Sequence, residues 1–178
     1  MELPGSGYFY ALATLSMTFA GFSAIVIVLR QTVGQRLSPF HLLATRLYIE
    51  SGFWAAAFSM FPPLLALCDV PTVTVWRISS AAIALVLIAY GVTYPRRRRA
   101  IVKDTLPARR WVAITFASAA VIAGLIGNAV GFPYPSGPAP VAIAATWTLA
   151  CGAIVFLLAL GAFWDAEQDP PPRSDGRD

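Results

Sequence analysis

Two charged residues, Arg46 and Glu50, interrupt the second long apolar stretch of this chain. Residues four apart lie on the same face of an α-helix, so their spacing predicts an ion pair on one side of a helix. A carboxylate held away from water can also exchange protons or attract cations. The pair therefore has three interpretations: a structural pair within the chain, an ionisable group along an ion or proton pathway, and a contact between subunits.

Five apolar segments must position this pair. Hydrophobic residues make up 57% of the chain and charged residues 12%, about half the charged share of a soluble domain. A helix that spans a bilayer needs roughly 20 apolar residues. Five segments reach this length, at about residues 7–29, 39–67, 73–94, 111–132 and 140–163. We therefore predict an all-α integral membrane protein with five transmembrane helices in residues 1–164, followed by a disordered, acidic and proline-rich cytoplasmic tail in residues 165–178.

The basic residues predict the orientation of these helices. Of the 13 Lys and Arg residues, all but Arg46 and Arg77 lie in the predicted first loop, third loop or tail. Basic loops stay in the cytoplasm, so we expect the N-terminus outside and the C-terminus in the cytoplasm, in a bacterial inner (plasma) membrane. The longest run of basic residues, 96–99, is expected to contact the lipid bilayer and not nucleic acid. Anionic lipids are expected at Arg96, Arg97, Arg98 and Arg99.

Small residues at helical spacing predict where helices approach closely in lipid. The first segment has two adjacent stripes of this kind, one formed by Ala11, Thr14, Thr18 and Gly21 and the other by Ser16, Ala20 and Ser23. The glycines expected to pack against other helices are Gly21, Gly124, Gly127, Gly131 and Gly152. With small faces on three segments, we expect contacts within the subunit and between subunits, and hence a homo-oligomer.

Four further residues in the apolar segments carry expectations about packing or helix ends. Trp54 and Trp147 lie too deep for the membrane interface and are interpreted as packing residues. Pro62 and Pro63 remove two backbone donors, which predicts that the second helix kinks or ends near Met60.

In the first segment, Gly21 and Phe22 precede the apolar run from Ile25 to Val28. This pattern resembles the pore helix of Orai calcium channels, in which a similar Gly-Phe step leads into an apolar gate. The Orai pattern has a selectivity glutamate about two turns after the glycine, where this chain has Leu29 and Arg30. The resemblance implies a pore-lining helix with an apolar constriction at Ile25 and a basic exit at Arg30.

The sequence contains no motif for a catalytic, metal or cofactor site, so we expect neither an enzyme nor a cofactor. We predict a homo-oligomeric ion channel or pore-forming subunit. The residues expected along its pathway are Glu50, Arg46, Arg30, Ile25 and Asn128. Two alternatives stay open: a non-conducting anchor, sensor or assembly subunit, and a proton-coupled small-solute transporter that uses Glu50.

Overall fold

The computed structural model describes residues 3–32, 39–101 and 108–168, and its regular structure in those ranges is entirely helical. The helices are α1 (Ser6–Thr32), α2 (Pro39–Ala66), α3 (Thr72–Ile101), α4 (Ala108–Val130) and α5 (Ala139–Gln168). Within the described ranges, α1, α3, α4 and α5 are long and apolar enough to cross a bilayer. The chain is thus a small multi-pass membrane protein. α2 is not among these four helices; two charges and two prolines interrupt its apolar sequence.

Of the five helices, α2 makes the most extensive contacts with its neighbours, and we call it the central helix. It makes its most extensive contacts with α5 and α1 and also packs against α3, while α4 packs against α3 and α5. A cluster of buried side chains joins all five helices, with Phe58 contributed by α2. In it Phe9 stacks on Trp76 with ring centroids 5.7 Å apart, beside the buried Leu125 and Val141.

Glycines let α2 approach both of its main neighbours. A Cβ atom added to Gly152 of α5 would lie 2.8 Å from the Cβ of Ser51 in α2. One added to Gly52 of α2 would lie 3.0 Å from the Cβ of Ala20 and 3.1 Å from the carbonyl oxygen of Ser16, both in α1. Since carbon atoms in contact are normally about 3.5–4.0 Å apart, a larger residue at either glycine requires the helices to separate.

The other glycines expected at helix contacts have different surroundings. Gly21 of α1 and Gly124 of α4 have no neighbouring atom within 4 Å of an added Cβ, so both face away from the bundle. Gly127 meets only the carbonyl oxygen of Phe132, at 2.8 Å, where the chain leaves α4. Gly131 has φ 80° and ends α4 in a left-handed conformation that favours glycine.

Three helices extend further than the apolar segments. α1 continues to Thr32, α3 to Ile101 and α5 to Gln168, so Arg30 and the run 96–99 belong to helices instead of loops. Arginine is a good helix former, and basic residues are favourable near helix C-termini. The side chains of Arg30, Arg96, Arg97, Arg98 and Arg99 lie outside the described part of the structure. So do residues 169–178, most of the predicted tail.

α2 does not end near Met60: the helix continues to Ala66, close to the end of the predicted segment 39–67, with Pro62 and Pro63 inside it. Both prolines are buried. They lie in the last turns, where the missing amide protons leave only two carbonyl groups without a helical partner. Membrane helices tolerate prolines when neighbouring helices cover the interruption, and α2 has such neighbours.

Candidate functional site

One face of α2 is left uncovered by the other helices, and it contains both charges. We call this face the α2 stripe: the exposed residues Arg46, Phe53, Trp54 and Ala57 with the partly exposed Glu50. The opposite face of the helix contains Tyr48, Gly52, Ala55 and Ser59, all buried. The α2 stripe is therefore the side of the central helix that faces out of the bundle.

The two charges of the α2 stripe form an ion pair. Nε of Arg46 donates to Oε1 of Glu50 at 2.5 Å, and the exposed fractions of the two side chains are 63% and 27%. Tyr90 of α3 lies within electrostatic range of Arg46. Glu50 precedes Ser51, which contacts Gly152, and lies about 16 Å along the helix from Pro39. The pair is thus neutral, close to the middle of α2 and on the outside of the bundle.

The pairing of Arg46 with Glu50 lowers the cost of placing either charge in a membrane. A single charge near the centre of a bilayer costs about 2.5–3.5 kcal/mol, and pairing offsets part of that cost. Both charges keep an exposed surface, so a competing charge can reach the pair where water or another protein surface meets this face.

Ile25 also faces out of the bundle. Its side chain is 58% exposed and lies on the same side of α1 as the exposed Thr14, Thr18 and Gly21. The second small-residue stripe of α1, formed by Ser16, Ala20 and Ser23, is buried. A pathway lined by Ile25 would have to run between copies of the chain, since this residue does not face the inside of a single bundle.

Asn128 lies in a different place, at the end of α4. It is buried, and its Nδ2 donates to the Oγ of Ser80 at 2.7 Å and to the carbonyl oxygen of Gly137 at 3.0 Å. Its Oδ1 accepts a hydrogen bond from the amide of Gly137 at 2.9 Å. Both amide protons and the side-chain carbonyl are therefore engaged, and they join α3, α4 and the segment that follows α4.

Arg77 extends this polar cluster toward solvent. Its Nε donates to the Oγ of Ser136 at 3.2 Å, and that hydroxyl donates to the backbone carbonyl of Asn128 at 2.7 Å. The sequence drew attention to Asn128 and set Arg77 apart as a basic residue inside a predicted helix, but it did not point to Ser80 or Ser136. A signal was present, because a polar residue at the end of an apolar helix, with a serine a few residues later, is typical of a helix end that is tied down by side chains.

Trp147 and Trp54 differ in their surroundings. The indole nitrogen of Trp147 in α5 donates to the Oγ of Ser118 in α4 at 3.1 Å, so Trp147 packs between helices. Trp54 is 39% exposed and lies on the α2 stripe, with its ring tilted against that of Phe58. Trp54 therefore does not fill the space between helices of one chain.

Within the described residues, no group of three His, Cys, Asp or Glu side chains comes together that could hold a metal ion.

No protein-family model, curated protein or solved structure compared with this chain matches it. The likeness between α1 and the Orai pore helix stays a prediction. The fold and the surface residues together define a small multi-pass α-helical membrane protein with an ion pair on the exposed side of its central helix.

Proposed function

We propose that this chain is the subunit of a homo-oligomeric ion channel in a bacterial inner membrane. One observation supports this function above the others: an ion pair lies on the outside of the bundle, near the middle of the central helix. The two charges neutralise each other, but lipid cannot hydrate them at that depth. A boundary between subunits that admits water can.

The proposal includes five membrane spans, with the N-terminus outside and the C-terminus in the cytoplasm. α2 crosses with the others because α1, α3 and α5 cover its remaining sides. The basic end of α3 then lies in the cytoplasm, where its arginines bind anionic lipids.

The ion pathway runs between copies of the chain. Both Glu50 and Ile25 face out of the single bundle, so each can border a passage only where subunits meet. Glu50 attracts cations, Arg46 limits that attraction, and the apolar side chains of α1 close the passage by excluding water.

Ion flux from liposomes that contain purified protein tests this function. We expect cation flux from the wild-type protein. A change in selectivity of about fivefold is expected for Glu50→Gln, because two charges about 4 Å apart in water interact with about 1 kcal/mol. The matched control is Asp69→Asn, which makes the same chemical change at an exposed position beyond the end of α2. Wild-type oligomers that release no ion would rule out the channel.

A second candidate, a non-conducting assembly subunit, is favoured by one feature of the pair. Arg46 and Glu50 neutralise each other at 2.5 Å and leave little net charge to attract an ion. This function predicts stable oligomers without flux. Proton-coupled transport through Glu50, by contrast, predicts solute movement that follows an imposed pH gradient and stops in Glu50→Gln.

A further inference from the structure

We infer that two copies of this chain pack against each other through the α2 stripe, with Arg46 of each copy one helical turn from Glu50 of the other and within reach of it. This inference rests on the proposed homo-oligomer and names the surface that forms it. The occupant of the stripe is a second copy, because the surface is complementary to itself.

The α2 stripe is poorly suited to contact with lipid. Arg46 and Glu50 are 63% and 27% exposed, and Trp54 is 39% exposed one turn further along. Among the described residues, the indole N–H of Trp54 donates no hydrogen bond, and the ring contacts Phe58. Tryptophan prefers the membrane interface, where that N–H can be hydrated. Three polar groups on one exposed face in the middle of a helix favour coverage by protein.

Symmetry makes this face complementary to itself. A two-fold axis along the membrane normal places the two α2 helices side by side with equal residues at equal depth. The positive and negative residues lie one turn apart, about 6 Å along the axis, within reach of a long arginine side chain. Each carboxylate then has one guanidinium from its own chain and one from the other. Ala57, on the same stripe, leaves room for the two helices to approach.

The exposed faces of α1 and α4 lack this combination. Gly21 and Gly124 face open space, but the residues around them are apolar or bond within their own helix. The hydroxyls of Thr14 and Thr18, for example, donate to carbonyl groups four residues earlier. Those two surfaces are compatible with lipid, whereas the α2 stripe, with its ion pair, favours a protein partner.

Complementary charge variants test the inference in liposomes, with association measured by energy transfer between labelled copies. Arg46→Glu and Glu50→Arg, each alone, bring like charges together, and we expect the dissociation constant to rise about tenfold or more. An equal mixture of the two variants restores opposite charges only between chains. We expect mixed pairs that associate as tightly as wild type. If the pair acts only within one chain, the mixture associates no better than either variant alone, and the inference fails.

Cross-linking gives a second measurement that leaves the charges intact. The chain has two free cysteines, Cys68 and Cys151. With both replaced by alanine, we expect Phe53→Cys on the α2 stripe to form a disulfide between copies. Thr18→Cys, exposed on α1, is the control and should not. If the wild-type protein is oligomeric but only the Thr18→Cys variant cross-links, the α2 contact is overturned and the channel proposal still stands. A wild-type protein that is monomeric in bilayers would overturn both.

Discussion

Replacing Gly152 by alanine tests how closely α2 and α5 pack. The added Cβ would lie 2.8 Å from the Cβ of Ser51 and 3.4 Å from the carbonyl oxygen of Tyr48. Because the first of these atoms belongs to a short side chain next to the backbone, the two helices must separate to admit the methyl group. Such overpacking costs about 1–3 kcal/mol, while the exchange of glycine for alanine inside a helix returns about 0.5–1 kcal/mol.

The net loss expected for Gly152→Ala is therefore about 1–2 kcal/mol of unfolding free energy. For a chain of 178 residues this corresponds to a melting temperature lower by about 2–8 °C, at about 2–4 °C per kcal/mol. Thermal unfolding in mild detergent, followed by tryptophan fluorescence, measures the shift. Gly21→Ala and Gly124→Ala are the matched controls, because a Cβ there meets nothing within 4 Å. They should leave the protein as stable as wild type or slightly more so.

A double variant isolates the contact. Ser51→Gly removes the Cβ that the alanine would meet, so the cost of Gly152→Ala should largely disappear in that background. If Gly152→Ala melts at the same temperature as Gly21→Ala, or if Ser51→Gly does not change its effect, the close approach of α2 and α5 is refuted.

Two further predictions concern the side of the bundle where α4 ends. Asn128→Ala leaves the amide and the carbonyl of Gly137 without a side-chain partner; at about 1–3 kcal/mol for each lost buried partner, we expect a loss of about 2–4 kcal/mol and faster proteolysis after α4. Ser136→Ala, which keeps those bonds, should lose less, and equal proteolysis of the two variants would contradict the role of Asn128. Trp76→Ala removes a side chain that is 2% exposed and stacked on Phe9, with an expected cost of about 3–5 kcal/mol in the same thermal assay. Trp54→Ala is its control on the exposed side of α2; a smaller effect for Trp76→Ala than for this control would show that the ring stack contributes little.

The sequence was sufficient to predict helices in an apolar solvent, because their length and hydrophobicity follow from the thickness of the bilayer. It did not predict where the helices end. Arg30 and the run 96–99 interrupt the apolar pattern but not the helices, since arginine stabilises a helix that extends into water. At Pro62 and Pro63 the local sequence predicts a kink or an end of the helix. Contacts with the neighbouring helices instead preserve α2 beyond both prolines.

The sequence also did not show which face of a helix meets its neighbours. The two stripes of α1 have almost the same composition, yet Ser16 and Ala20 are buried while Thr14 and Thr18 are exposed. In lipid the exposed face of a helix is as apolar as the buried one, so hydrophobicity cannot distinguish them. The four-residue spacing of Arg46 and Glu50 was a stronger signal, because an ion pair within one helix depends on local geometry alone.

The central place of α2 also affects the order in which the bundle is assembled. The ribosome completes α2 before it has made α5, the helix with which α2 has its most extensive contact, and α3 and α4 are synthesised in between. During that interval the segment with the poorest affinity for lipid is covered by α1 and, once it is made, by α3, and the face later occupied by Gly152 is open. Biogenesis of this protein therefore depends on a partner that arrives last, so a nascent chain that stops before residue 139 would leave its centre unfinished.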